Sequence, residues 1–211
     1  MKEVFNKYLN DEIKVDKITF ISILALLIVI SGVFGWIYEF IFYYFNGGMK
    51  IFYYRGSNFL PWINIYATGA LIIYFLTHKY KKSPLKVFLI SFLSTGILEF
   101  ISGWAIYTFF HFRCWDYNTE ILNFLNIGGY VCLRSVLFFG ISGLLLMYLI
   151  IPLLYFLATK LNKKLFIILS ISICSIFLFD ELYNLLIARI FNMQRASDIY
   201  KQIGFKYMEF K

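Results

Sequence analysis

Ionisable side chains inside long apolar runs are the chemistry-bearing feature of this sequence, because a charge at membrane depth must find a partner, water or a ligand. Glu39, Glu99, Arg134 and the adjacent pair Asp180 and Glu181 lie in or at the end of such runs, and Asp116 sits in a short loop between Trp115 and Tyr117. An arginine in that setting can hold an anion or a carboxylate. Carboxylates near it can bind a polar substrate or act as acid and base. The structural alternative is that Arg134 pairs with Glu99 or Glu39 and fastens helices together. The residues weigh the two readings equally, and both can hold at once. Asp180 and Glu181 project about 100° apart on a helix, so they do not both serve one site directly. One can face a cavity while the other pairs with Arg189, and Asn184 shares the Asp180 face.

The elements that position these residues follow from run length, since a hydrocarbon core of roughly 30 Å needs about 20 apolar residues. Suitable runs cover 18–38, 57–77, 87–112 around Glu99, 130–159 around Arg134 with Pro152 near its end, and 165–190 around Asp180 and Glu181. The expected fold is all-α, a polytopic transmembrane helix bundle of about five spans. The fifth carries the heaviest insertion penalty, about 2.5–3.5 kcal/mol for each carboxylate. Residues 1–17 are polar, with Val4, Phe5, Tyr8, Leu9 and Ile13 at helical spacing, which predicts a short amphipathic helix along the membrane surface. The bundle is then 18–190, and 191–211 forms a polar, interfacial tail.

Composition agrees. Hydrophobic residues make up 61% of the chain and charged ones only 15%, against about a quarter in a soluble domain, so a water-soluble globule is excluded. The net charge of +8 does not point to nucleic acid, because the basic residues are scattered at the ends of apolar runs. They also sort by side. The N-terminus has Lys2, Lys7, Lys14 and Lys17, and two alternate loops have Lys79, Lys81, Lys82, Lys86 and Lys160, Lys163, Lys164. The intervening loops hold only Lys50, Arg55 and Arg113. The N-terminus is therefore expected in the cytoplasm. The tail, with Arg195, Lys201, Lys206 and Lys211, then falls outside, so it is either an outer surface helix or the fifth segment re-enters.

Cys114, Cys132 and Cys174 lack zinc-site spacing and are expected as thiols, although Cys114 and Cys132 could meet on one membrane face. No metal or cofactor is expected. The sequence contains no GxxxxGK[ST], HExxH, GxSxG or DxDxDG pattern, so it supplies no nucleotide-hydrolysing loop of its own. Trp36, Trp62, Trp104, Trp115 and Tyr117 read as an interfacial aromatic belt. The first and third runs each carry one Glu and lead into an outer loop, a faint parallel echo that chance similarity also explains.

Several patches resemble a known family. They are Gly35-Trp36-Ile37-Tyr38-Glu39; Arg55-Gly56 with Pro61, Ile65-Tyr66 and Gly69; Leu98-Glu99-Phe100-Ile101-Ser102-Gly103-Trp104; Arg113-Cys114-Trp115-Asp116-Tyr117; and Gly129-Tyr130-Val131-Cys132-Leu133. Over residues 30–155 the chain resembles the CmpB-like family of small membrane proteins labelled ABC-transporter permeases. The resemblance implies Glu39, Arg55, Glu99, Trp104, Asp116 and Cys132 as motif residues. Tyr107 and Tyr130 depart from it, standing where an acidic and a basic residue are usual. Arg134, one helical turn further on, can replace the missing charge.

The expected function is a multi-pass cell-membrane permease subunit that binds a small polar or amphiphilic substrate in an outward-facing intramembrane cavity. Glu39, Arg55, Glu99, Trp104, Asp116 and Arg134 would line it. Its partners would be the bilayer and a separate ATPase docked on the loops at 79–86 and 160–164. The competing readings are an enzyme acting on lipid or lipid-linked sugar at the outer leaflet, which is less favoured, and a structural or regulatory membrane partner.

Overall fold

The computed structural model describes residues 2–207; Met1 and the last residues of the tail, Lys211 included, lie outside the described residues. Regular structure is helical, and among the described residues two isolated bridges are the sole strand-like contacts. The helices are α1 (Lys2–Leu9), α2 (Lys17–Asn46), α3 (Asn64–Thr77), α4 (Pro84–Phe110), α5 (Leu133–Lys160), α6 (Lys163–Ile190) and α7 (Ala196–Gln202).

α2, α4, α5 and α6 have 27 to 30 residues each and are apolar enough to cross a membrane. α3 differs from the expected second span. It has only 14 residues, about 21 Å at 1.5 Å per residue, and 57–63 before it is irregular rather than helical. Counting this mixed segment, the chain passes the membrane about five times.

The backbone forms two compact units. Among the described residues, one combines Val15–Thr68 with Phe156–Tyr207; the other combines Lys2–Lys14 with Gly69–Tyr155.

In the first unit α2 packs along α6. Asp16 caps α2, accepting from Thr19 N at 3.2 Å and Thr19 Oγ1 at 2.7 Å, and also pairs with Lys163 Nζ at 2.8 Å. That ties the two N-terminal ends together. At the other end, residues 58–64 hydrogen-bond to the C-terminal half of α6, so the two helices run parallel. Trp62 packs on Phe177 with ring centroids 5.1 Å apart, in a core with Ala25, Val29, Ala67 and Cys174. The tail returns to the same end: Tyr54 N donates to Lys206 O at 2.8 Å, and Ala196 N donates to Asn184 Oδ1 at 2.7 Å. The short helix α7 in the tail thus lies beside the 47–63 loop, and Arg195 at its N-cap is paired with Asp198 at 3.1 Å.

In the second unit α4 packs on α5. Small residues allow the close approach: a Cβ on Gly140 would stand 2.6 Å from the Phe88 ring, and one on Gly143 would collide with Ser91. α5 takes a π-helical turn at Leu146–Ile150, just before Pro152, which has no N–H to give the helix ladder.

α1 belongs to this second unit, where its apolar face has partners within the protein. Tyr8 is buried, its ring 5.7 Å from that of Tyr155, and Phe5 lies 6.4 Å from Tyr148. The apolar face meets aromatic side chains of α5. Asp11 meanwhile pairs with the buried Lys81, whose ammonium sits 4.7 Å from the Tyr8 ring. The N-terminal segment, the loop at 78–83 and the last turns of α5 thus share one end, as the charge sorting requires.

Candidate functional site

In the second unit Glu99 is carried mid-way along α4 and is almost wholly buried. Its Oε1 accepts a hydrogen bond from Tyr117 Oη at 2.6 Å. Its Oε2 meets no donor at bonding geometry among the described residues, although Ser135 and Arg134 stand close to the carboxylate. Arg134 stands on the first turn of α5, with its charge close to the Glu99 carboxylate. It pairs through Nη2 with Glu120 Oε2 at 2.5 Å, and its guanidinium lies 5.3 Å from the Tyr117 ring centroid. The first turn of α5 faces the 111–132 loop, which offers two buried carboxylates, Asp116 and Glu120, and Arg134 pairs with the second.

Asp116 serves the loop itself. It caps the short turn at Tyr117–Thr119, its Oδ1 accepting from Asn118 N at 3.0 Å and Asn118 Nδ2 at 2.8 Å, with Arg113 Nη1 at 3.4 Å. Arg113 also donates to Gly128 O at 3.0 Å, and its guanidinium lies 4.8 Å from the ring centroids of both Tyr107 and Tyr130. The two tyrosines that replace the expected acid and base therefore flank an arginine by cation–π contact. Trp104 is not gathered into this group. It is 47% exposed, with an edge contact to Phe109. Trp115 Nε1 donates to Tyr130 O at 2.9 Å, a fastening role beyond a belt. Cys132 is buried at the start of α5 and Cys114 is exposed; no disulfide joins them.

The first unit holds Glu39 and Arg55 as a pair, Arg55 Nε donating to Glu39 Oε2 at 2.7 Å. Tyr66 Oη donates to Glu39 Oε1 at 3.1 Å, and the Arg55 guanidinium stacks 4.0 Å from the Tyr43 centroid. Trp36 Nε1 donates to Arg55 O at 3.0 Å. Gly35 is required here, because a Cβ would collide with the Tyr66 ring.

Asp180 and Glu181, adjacent on α6, both hold the 58–64 segment. Asp180 accepts from the amides of Phe59 and Leu60 at 2.9 and 3.0 Å; Glu181 accepts from Asn58 Nδ2 at 2.6 Å and Asn64 Nδ2 at 3.2 Å. One segment wraps both faces. Asn184, in a π-helical turn at Tyr183–Ile187, donates to Asp180 Oδ1 at 2.8 Å and Asp180 O at 2.9 Å. Irregular backbone at membrane depth must have its polar groups satisfied by protein, and these carboxylates do so.

Among the described residues, no three His, Cys, Asp or Glu side chains gather in a metal-binding group. A family model described as "Putative ABC-transporter type IV", the CmpB family, matches residues 26–185. The chain belongs to the CmpB family. The CmpB match begins in α2 and ends within α6, so it includes every residue of both clusters and extends past the patches that suggested it. No curated protein and no solved structure matches.

Sequence reasoning missed Glu120, the ties of Tyr117 to Glu99 and of Tyr66 to Glu39, and the two asparagines Asn58 and Asn64. Glu120 did leave a signal, as a lone acid at the edge of an uncharged stretch 14 residues before a lone arginine.

Proposed function

We propose that this CmpB-family protein is the membrane-spanning permease subunit of an ABC transporter in the cell membrane. In this reading a small polar or amphiphilic substrate binds beside Glu99 and Arg134, reached from the outer face. The observation that supports it is the Glu99 carboxylate, buried inside α4 with one oxygen that meets no donor at bonding geometry among the described residues, though Ser135 stands close. Such a group is costly to bury, and a ligand bearing a donor or a positive charge would satisfy it. Arg134 offers a complementary charge for an anionic group, in exchange with Glu120. Asp116 shapes the loop around this centre. Glu39 and Arg55, closed on each other and on Tyr66 and Tyr43, hold the end of α2, and Trp104 faces the interface.

ATP hydrolysis is assigned to a separate polypeptide. The family description and the lack of a phosphate-binding loop support this, as do the exposed Lys79, Lys82 and Lys86, which can face an acidic partner. Lys81 is excluded from that role by its internal pair with Asp11.

The test is reconstitution of the protein with its co-purifying ATPase in proteoliposomes, comparing wild type with Glu99→Gln and Arg134→Lys. Loss of substrate-stimulated ATP hydrolysis with assembly intact supports the reading. Absence of any ATPase and of transport sinks it. Unchanged uptake with altered lipid or lipid-linked sugar turnover would replace it by the enzyme reading.

A further inference from the structure

The loop that joins α4 to α5 carries more than the polar centre. Ile121, Leu122, Phe124, Leu125 and Ile127 are all exposed, from 45% to 77%. No charged residue occurs from Ile121 to Leu133. The intervening asparagines turn inward: Asn123 Nδ2 donates to Tyr117 O at 2.9 Å, and Asn126 takes Gly129 N at 2.8 Å while donating to Asn118 Oδ1 at 2.7 Å. The result is a repeated order of two apolar residues outward and one polar residue inward, in a segment that is neither helix nor strand.

Two features argue that this outward display is built. Leu122 and Leu125 have φ of +55° and +52°, a region that side chains beyond glycine, asparagine and aspartate rarely occupy. The strain is retained where it turns leucines away from the protein. In addition the backbone is internally satisfied at several points: Ile127 N donates to Val131 O at 2.9 Å, Tyr130 N to Ile127 O at 3.1 Å, and Leu133 N to Phe124 O at 2.9 Å. Backbone that keeps its hydrogen bonds to itself tolerates an apolar medium; backbone that relies on water does not.

We propose that residues 121–127 insert into the bilayer, burying these five side chains at the acyl-chain boundary of the leaflet that meets the C-terminal end of α4. A lipid occupant is favoured over a protein because the patch is charge-free and because the end of α4 leads into it with Phe109 and Phe110, 69% and 62% exposed. The loop is also held from beneath, through Glu120 to Arg134 and through Tyr117 to Glu99, so it enters the leaflet as a shaped wedge. This goes beyond the transporter reading and stands without it.

The test uses the full chain carrying Cys114→Ser, with Phe124→Cys or Leu125→Cys labelled by an environment-sensitive nitrobenzoxadiazole and reconstituted in phosphatidylcholine–phosphatidylglycerol vesicles. A Lys50→Cys label in another loop serves as the control. The expected result at both 124 and 125 is a blue-shifted emission quenched several-fold more by nitroxide on the acyl chain than by aqueous iodide. Dominant iodide quenching at both positions would place the loop in water and overturn the proposal. Shielding from both quenchers would show a protein cover and overturn it equally.

Discussion

Arg134 on α5 and Glu120 in the loop before it form an ion pair 2.5 Å long whose carboxylate is almost completely removed from solvent. Pairs of this kind penalise the loss of one partner more than the loss of both, because a lone buried charge remains. Glu120→Ala is expected to destabilise the protein by about 3–5 kcal/mol. The double change Glu120→Leu with Arg134→Met recovers most of that loss. Unfolding of the two variants in detergent checks the contrast, and additive losses would mean the pair is energetically idle.

Asp180 answers to backbone. Its two oxygens take the amides of Phe59 and Leu60, so Asp180→Ala strands both donors, each costing about 1–3 kcal/mol when unsatisfied. Asp180→Asn keeps one acceptor and falls between. Amide exchange over residues 54–64 is the measurement: the alanine variant exchanges fastest, and unchanged protection would show that the segment finds other partners.

The attachment of the N-terminal segment is expected to depend on pH in two steps. Burial, helped by Lys81, holds the His78 imidazole below its ordinary 6.5. The folded state therefore binds this proton less readily than the unfolded one despite the opposing pull of Asp11, and this contribution to stability weakens as pH falls from 6.5 through the lowered value. The Lys81 hydrogen bond, with the Lys81, His78 and Lys82 charges, holds Asp11 below its ordinary 3.8. That contribution is intact above 3.8 and is lost as pH falls through the depressed value. Exchange in residues 2–14 should rise in both windows, and His78→Gln should erase the upper one alone.

Close approach of α4 and α5 rests on Gly143. Gly143→Val drives a branched side chain into Ser91, and overpacking of this kind costs about 1–3 kcal/mol. Ser91→Gly in the same chain makes room and should restore part of the melting temperature. Failure of the pair to recover would indicate that the helices separate by another route.

Hydropathy reveals α2, α4, α5 and α6 because length and apolarity are all that a crossing helix demands. It does not reveal the break in the second run, since 57–63 is as apolar as a helix would be. Pro61, which has no N–H, was the one local mark of irregular path. Buried charges were legible for the same reason that they are costly. Their partners were not, because Glu120 reaches Arg134 and Asn58 reaches Glu181 only through the route of the loops. Tyr8 illustrates the remaining gap: helical spacing identified an apolar face, while the choice between lipid and Tyr155 is made by tertiary contact.

The parallel pairing of α2 with α6 sets a clock on biogenesis. The segment holding Phe59 and Leu60 leaves the ribosome about 120 residues ahead of Asp180, roughly 6–24 s at synthesis rates of about 5–20 residues per second. Throughout that interval its amides depend on water or on the insertion machinery, and Asp16 waits for Lys163. α2 thus stays provisional until α6 arrives, and a chain stalled after α5 presents the quality-control system with an open, hydrogen-bond-hungry loop.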